Sequence, residues 1–262
     1  MALKYEFHAP NLGDFFPDPI VLQDFAGGAF TIDRVMAIRL FVTVVLMVFF
    51  ALAFRKPQLV PGKLQNLAEV FLDFIRTGIA EDILGKKEGK NYFPLIATTF
   101  ILVAAMNLPS VIPFLNISPN ARVGMPLTLA IIGYIAFVYA GAKKYGFFKF
   151  MKSSIIVPNL PPAIHIVMVP IEIISTFILR PLTLTIRLMA NMLAGHLILA
   201  LLFSATNLFF WQLNGISVLS AGTLLFATLF TLFELLVIFL QAYIFSLLVA
   251  VYIDLSLHAA EH

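Results

Sequence analysis

The chain has 262 residues and a net charge of +3, with 61% hydrophobic and only 12% charged residues. Soluble domains carry about 25% charged residues, so this composition excludes an ordinary soluble protein and indicates a membrane protein. The absence of cysteine excludes disulfides, thiol nucleophiles and thiolate metal sites. The basic residues lie in short loops between apolar runs, which does not suggest nucleic-acid binding.

The N-terminal segment, residues 1–30, is polar and contains proline and glycine. It lacks the basic start and short apolar core of a cleavable signal peptide. We therefore expect insertion to depend on the first spanning helix, and a single membrane domain to follow over 31–262.

Five apolar runs are long enough to cross a bilayer as α-helices. They are Val35–Phe54, Tyr92–Pro113, Val123–Ala142, Ile164–Phe203 and Val218–Leu255. The last two exceed the ~20 residues that a perpendicular span needs, which predicts that they are tilted, broken or extended beyond the lipid. Five prolines between Pro158 and Pro181 favour a kinked or tilted course for the fourth run.

The loop charges predict the orientation in the membrane. Seven basic residues occur over 55–90 and four more over 143–152, whereas the opposite loops contain only Arg122. The 55–90 and 143–152 loops are therefore predicted to be cytoplasmic. The N-terminus is then outside the membrane and the C-terminus inside.

Between the first two spans, Gly62–Gly85 is predicted to be helical without crossing the membrane. Glu69 and Asp73 share one face with Arg76, and a second face is apolar. This pattern is typical of an amphipathic helix at the cytoplasmic interface, although a loop helix that packs on a partner protein fits equally well. The predicted fold class is therefore an all-α membrane protein with about five transmembrane helices, one interfacial amphipathic helix and a long, tilted hairpin over about 158–257.

The fourth predicted span carries an arginine, Arg187, within the apolar part of the membrane. From Arg187 to Glu234 the sequence contains no other charged side chain. A guanidinium stays protonated, and holding it at membrane depth costs from roughly 3 to beyond 10 kcal/mol. Helical geometry places polar residues along one stripe, namely Arg180, Thr183, Arg187 and Asn191. The small residues Ala190 and Ala194 lie beside the stripe, and Glu172 and Thr176 continue it toward the cytoplasmic end.

The fifth predicted span supplies further polar residues at membrane depth. Glu234 and Gln241 are seven residues apart and share a helix face. If the last two spans form an antiparallel hairpin, His196 and Glu234 come to similar depth near the outside. Arg187 and Gln241 then share a level further in.

The charged residues also fit structural roles. Arg187 fits one half of a buried ion pair with Glu172 or Glu234. Arg180 fits a helix break next to a proline, or a side chain that reaches toward the interface. Glu172 fits a solvated charge at a helix end.

The uncharged polar residues have similar alternatives. His196 fits a hydrogen-bonded packing residue, and Asn191 and Gln241 fit simple hydrogen-bond partners between helices. The other histidines show no metal-ligand spacing, so no metal site is predicted.

Two stretches carry a family resemblance. The run Pro181–His196 resembles the signature of subunit a of F-type ATP synthases, in which Arg-Leu is followed by two residues, Asn, two residues and Ala-Gly. The run Phe233–Phe245 is similar to the family's Leu-Gln-Ala-Phe/Tyr-Ile-Phe stretch, and residues 61–69 resemble the bacterial subunit. The resemblance is strong over 164–262 and looser, mainly in topology, over 30–150. Arg-Leu-Met-Ala-Asn replaces the usual Arg-Leu-Phe-Gly-Asn, one small residue for another.

The resemblance implies a non-catalytic proton-channel subunit of a bacterial plasma (inner) membrane that needs no cofactor. Its implied partners are the ring of c subunits, peripheral-stalk subunit b, the rest of the ATP synthase and the lipid bilayer. Arg187 matches the essential charge that faces the ring, on the same face as Arg180, Thr183, Ala190 and Ala194. The implied proton path contains His196, Glu234, Asn191, Gln241, Glu172 and Thr176. At two of these positions, His196 and Glu234, some bacterial members carry the same pair exchanged.

Other functions remain open on the residues alone. A secondary transporter or ion channel of another family would predict internal repeats, which the sequence lacks. An intramembrane hydrolase would need a nucleophile–base or metal motif, and no such motif is present. A structural anchor would explain the amphipathic helix but not an arginine inside the membrane.

Overall fold

The computed structural model describes residues 33–58, 60–112, 115, 117–155, 162–211 and 217–259, with the backbone only at 154–155 and 162–166. The N-terminal segment predicted for 1–30, and the prolines at 158 and 161, lie outside these ranges. The described residues form α-helices and contain no β-strand. The helices are α1 (Arg34–Ala53), α2 (Lys63–Ile75), α3 (Asp82–Asn107), α4 (Gly124–Tyr145), α5 (Phe147–Ile155), α6 (Pro162–Ile173), α7 (Arg180–Trp211) and α8 (Val218–Leu257).

Five helical runs are long and apolar enough to cross a membrane. They are Arg34–Ala53, Lys63–Ser110, Gly124–Tyr145, Val167–Trp211 and Val218–Leu257. The prediction of an all-α membrane protein with five spanning helices is therefore confirmed. The last two runs contain 45 and 40 residues, and a π-helix at Ile174–Leu179 separates α6 from α7. The fourth span is thus interrupted as well as long.

The start of α1 is held by a carboxylate. Asp33 accepts a hydrogen bond from the backbone N–H of Met36 at 2.8 Å, which satisfies one of the free donors of the first turn. The same side chain pairs with the guanidinium of Arg122. Burial alone opposes ionisation of Asp33, but the bonds from Met36 and Arg122 outweigh it, so the pKa of Asp33 lies below its ordinary value.

The predicted amphipathic helix is present as α2, but it continues into the second span. A π-helix at Arg76–Glu81 connects α2 to α3, and the chain breaks direction at Gly85, where φ is +73°. Only glycine adopts that conformation without strain. Gly89 then lies so close to the carbonyl oxygen of Ala80 that a β-carbon would be 2.7 Å from it. Two glycines therefore form the tight connection between α2 with its π-helix and the apolar part of α3.

The chain separates into two compact units, each built from segments distant in sequence. One contains the chain up to Val44, Ala104–Arg122 and Met189–Leu240, and the other contains Val45–Val103, Val123–Leu188 and Gln241–His262. In the first, Met192 of α7 and Ile238 of α8 belong to one buried apolar cluster. In the second, the hydroxyl of Ser256 on α8 donates to the carbonyl of Phe137 on α4 at 2.6 Å.

Candidate functional site

Arg187 lies on α7 with its side chain exposed. Leu184 and Leu188, on either side of it in sequence, are 4% and 1% exposed, so α7 buries one face and presents the arginine on another. Within the described residues the guanidinium forms no ion pair or hydrogen bond. The alternative of a buried structural ion pair with Glu172 or Glu234 therefore gains no support from the chain itself.

Three of the residues predicted to accompany Arg187 are exposed as well. They are Thr183, Ala190 and Ala194, and Asn191 is partly buried. The hydroxyl of Thr183 donates to the carbonyls of Leu179 and Arg180, at 2.7 and 3.1 Å, so it also satisfies backbone acceptors where the π-helix joins α7.

Arg180 is in a different environment from Arg187. Its guanidinium carbon lies 5.5 Å from the ring centre of Phe137 on α4 and 5.3 Å from that of Tyr252 on α8. These are distances at which an aromatic ring attracts a cation. The first turn of α7 is thereby attached to two other helices, which supports a structural role for Arg180.

Glu172 and Thr176 form a pair around the start of the π-helix. Thr176 is 1% exposed, and its hydroxyl donates to Glu172 Oε1 at 3.1 Å. The spacing of four residues brings the two side chains together on one helix face. Both residues were predicted to belong to the cytoplasmic end of the path, and the bond holds the carboxylate of Glu172 in place.

Glu234 is buried against the backbone of α7. Its side chain is 2% exposed, and a β-carbon built on Gly195 would overlap both carboxylate oxygens. The carboxylate therefore occupies the space that the missing side chain of Gly195 leaves free. This contact places Glu234 next to the residue that precedes His196 in the sequence.

His196 lines a cavity of about 450 Å³. Successive turns of α7 contribute Ala200, Ser204 and Asn207 to the same wall, and Arg34 of α1 contributes a cation. Sequence reasoning did not assign the serine, the asparagine or Arg34. The signal was present as polar or small residues at the helical spacing 196, 200, 204 and 207.

A second polar group was also missed from the sequence. Asn107 and Asn120 are each 0% exposed, and Asn120 Nδ2 donates to Asn107 Oδ1 at 2.7 Å. The hydroxyl of Ser118 donates to the same oxygen at 3.2 Å. Among the described residues, Asn107 Nδ2 and Asn120 Oδ1 have no hydrogen-bond partner. Buried amides with free hydrogen-bonding capacity are the kind of group that water contacts inside proteins.

Gln241 is 6% exposed and is therefore a buried polar residue of α8. It forms no hydrogen bond with Arg187 in the part of the chain that the structure describes. Across that same part, no group of three or more His, Cys, Asp or Glu side chains could hold a metal ion.

Comparison with known proteins identifies the family of the chain. The family model described as ATP synthase A chain matches residues 36–254. A relative from Rhodococcus erythropolis, named ATP synthase subunit a, is 58% identical over 98% of this chain and 93% of its own length. Relatives of the same name from Streptomyces lividans and Pseudarthrobacter chlorophenolicus are 38% and 39% identical over 98% of this chain, covering 89% and 96% of their own lengths. The chain, with its five apolar helices, therefore belongs to the ATP synthase subunit a family.

Proposed function

We propose that this chain is the static half of a rotary proton channel. It presents Arg187 to a rotating ring of c subunits, each carrying one carboxylate inside the membrane, and couples proton flow to ring rotation. The observation that carries the proposal is an exposed arginine that has no ion pair or hydrogen bond among the described residues, on a helix long enough to cross the membrane. A charge in that position needs a partner from outside the chain, since an unpaired guanidinium in lipid is costly.

Arg187 would act on the ring through charge. Beside the guanidinium, a ring carboxylate is held ionised, because a nearby positive charge favours the charged form. Once rotated into lipid, the same carboxylate has to be neutral, because desolvation disfavours the anion. Arg187 therefore separates a path for proton entry from a path for proton exit. A lysine would serve less well, since it loses its proton more easily when buried.

The outer half-channel is proposed to run along the cavity beside His196. Imidazole titrates near neutral pH, which suits proton passage. Glu234, buried beside Gly195, supplies a second titratable group at the same level. The Asn107–Asn120 pair supplies uncharged hydrogen-bonding groups along the path.

The inner half-channel is proposed to begin at Glu172 and Thr176. Their hydrogen bond provides a carboxylate and a hydroxyl in one chain of donors and acceptors. Protons would be driven through both half-channels by the pH difference and by the transmembrane potential, which contributes about 2.3 kcal/mol per charge per 100 mV. ATP chemistry takes place in the soluble part of the complex, and this subunit, with peripheral-stalk subunit b, belongs to the stator.

Transport is tested with the reconstituted membrane sector. Liposomes that contain the ring, subunit b and this chain are loaded with potassium, and valinomycin then sets the membrane potential. We expect proton uptake that disappears when this chain alone is left out. Equal uptake with and without the chain would contradict the proposed channel.

The surface that faces the ring is tested by cross-linking, for which the chain without cysteine is a clean background. Ala190→Cys and Ala194→Cys should each form a disulfide with a cysteine placed near the carboxylate of the ring subunit. Met47→Cys on α1 is the control, because that residue is also exposed, at 60%, but lies on another helix. A cross-link from Met47→Cys, with none from Ala190→Cys or Ala194→Cys, would show that the ring contacts α1 and not α7, and would contradict the proposal.

A further inference from the structure

Three cations converge where α1 ends and α2 begins. Arg55, Lys56 and Lys63 line one cavity of about 500 Å³, a size typical of small-molecule sites. Each of the three side chains is exposed, and none forms an ion pair or hydrogen bond within the described residues. The cavity therefore concentrates three positive charges that no carboxylate among the described residues neutralises.

No acidic residue is among the described residues that line this cavity. The nearest carboxylate along α2, that of Glu69, is engaged by Gln65 Nε2 at 2.6 Å. Gln65 is 7% exposed, and it also accepts from the backbone N–H of Gln58 and donates to its carbonyl. This buried glutamine therefore fixes the loop to α2, and its hydrogen bonds hold the wall of the cavity in place.

The position of the cavity is that of a membrane surface. Arg55 and Lys56 are the first charges after the 20-residue apolar helix α1. On α2, Leu67, Val70 and Phe74 are between 51% and 62% exposed, and helical geometry places them on one face. Such a face is typical of a helix in the plane of the interface, where the cavity would be level with the phosphates of the lipids.

We propose that this cavity binds the phosphate headgroup of an anionic phospholipid. The three cations hold the phosphate, and the free N–H groups of the first turn of α2, which has no side-chain cap, add donors. Leu52 and Leu64, which line the same cavity, contact the first carbons of the acyl chains. The bound lipid would fix the angle between α1 and α2, independently of any proton transport.

The apolar surroundings favour a lipid over other anions. A free phosphate uses only the cations, whereas the exposed apolar face of α2 and the two leucines offer hydrocarbon contacts as well. Basic pockets at the cytoplasmic ends of membrane helices are typical sites for anionic headgroups. An acidic helix of a partner protein would also use the cations, but it would leave that apolar face facing the bilayer uncovered.

The test is lipid retention by the full chain. The purified protein is placed in nanodiscs of phosphatidylcholine with a minor fraction of phosphatidylglycerol, released, and examined by native mass spectrometry. The triple variant Arg55→Gln, Lys56→Gln, Lys63→Gln should retain phosphatidylglycerol about a hundredfold less than the unaltered chain, given the attraction that each cation contributes. Retention of phosphatidylcholine should be the same in both.

The control removes the same charge elsewhere on the same predicted side. The triple variant Lys86→Gln, Lys87→Gln, Lys90→Gln should retain phosphatidylglycerol as the unaltered chain does, and thermal unfolding of both triple variants checks that they are folded.

Equal losses of phosphatidylglycerol in the two triple variants, or no loss in the first, would overturn the proposed site. Displacement of the lipid by inorganic phosphate alone would reassign it to a free anion. No preference of the unaltered chain for phosphatidylglycerol over phosphatidylcholine would overturn the lipid proposal.

Discussion

At the residue scale, the contact between Gly195 and Glu234 joins the two long helices. A side chain at Gly195 cannot coexist with the present position of the carboxylate, because the two overlap. A buried carboxylate in so small a space is sensitive to the volume of its neighbour. Glycine at this position is therefore part of the site, although it carries no functional group.

Replacing Gly195 with alanine, and Gly222 as a comparison, should change the stability in opposite directions. Gly195→Ala should destabilise the protein by about 1–3 kcal/mol through overpacking and should lower proton transport. Gly222→Ala on α8, where a β-carbon meets nothing within 4 Å, should instead stabilise it by about 0.5–1 kcal/mol and leave transport unchanged. Thermal unfolding of the complex and vesicle acidification measure the two effects. A neutral Gly195→Ala would disprove the close packing of Glu234.

The ion pair between Asp33 and Arg122 should make the stability of the protein depend on pH. Its pKa is lower in the folded chain than the ordinary value of 3.8, so the protein gains stability from its ionised form. That gain is complete above the ordinary pKa and is lost as the pH falls through the depressed one. Asp33→Asn, which keeps the cap to Met36 but not the charge, should cost about 1 kcal/mol at neutral pH. The difference from the unaltered protein should vanish in acid, and one that persists would exclude the ion pair as its cause.

At the scale of elements, the start of α7 depends on aromatic partners in two other helices. Arg180 lies between Phe137 and Tyr252, so its charge connects α7 to α4 and α8. Tyr252→Leu removes one ring and should destabilise the protein by about 1–2 kcal/mol, whereas Tyr252→Phe keeps the ring and should have little effect. The comparison is made by thermal unfolding. Equal losses would show that the tyrosine hydroxyl, not the ring, is the partner.

The elements also show what sequence reasoning can reach. Long apolar runs predicted all five spans, because hydropathy and length alone decide whether a helix can cross a bilayer. The π-helices at Arg76–Glu81 and Ile174–Leu179 were not predicted, since they depend on how neighbouring helices pack and have no reliable sequence signal.

The candidate site likewise contains residues that one segment reveals and contacts that depend on packing between segments. Arg187, His196 and Glu234 could be named from charge in an apolar stretch, which is a property of one segment. The contact between Gly195 and Glu234 joins residues 39 positions apart, and the pairing of Asn107 with Asn120 depends on a loop folding back. Such contacts need the three-dimensional arrangement, which helical periodicity within one segment does not supply.

At the scale of the whole molecule, loop charges predict an N-terminus outside and a C-terminus in the cytoplasm. Single cysteines in this cysteine-free chain can test that orientation with a maleimide that does not cross membranes. In intact cells, Val218→Cys, at a position 76% exposed, should be labelled, and Lys87→Cys should not. In inverted vesicles the pattern should reverse. Labelling of Lys87→Cys from outside would contradict the orientation.

The proposed coupling depends on the charge of Arg187. The most direct measurement is ATP-driven acidification of inverted vesicles containing Arg187→Ala, with assembly of the complex verified by co-purification. Arg76→Ala is the matched control, because it removes an arginine from an exposed ion pair with Glu81. We expect no acidification with Arg187→Ala in a fully assembled complex and normal acidification with Arg76→Ala. Normal acidification without Arg187 would contradict the proposal that its charge couples proton flow to rotation.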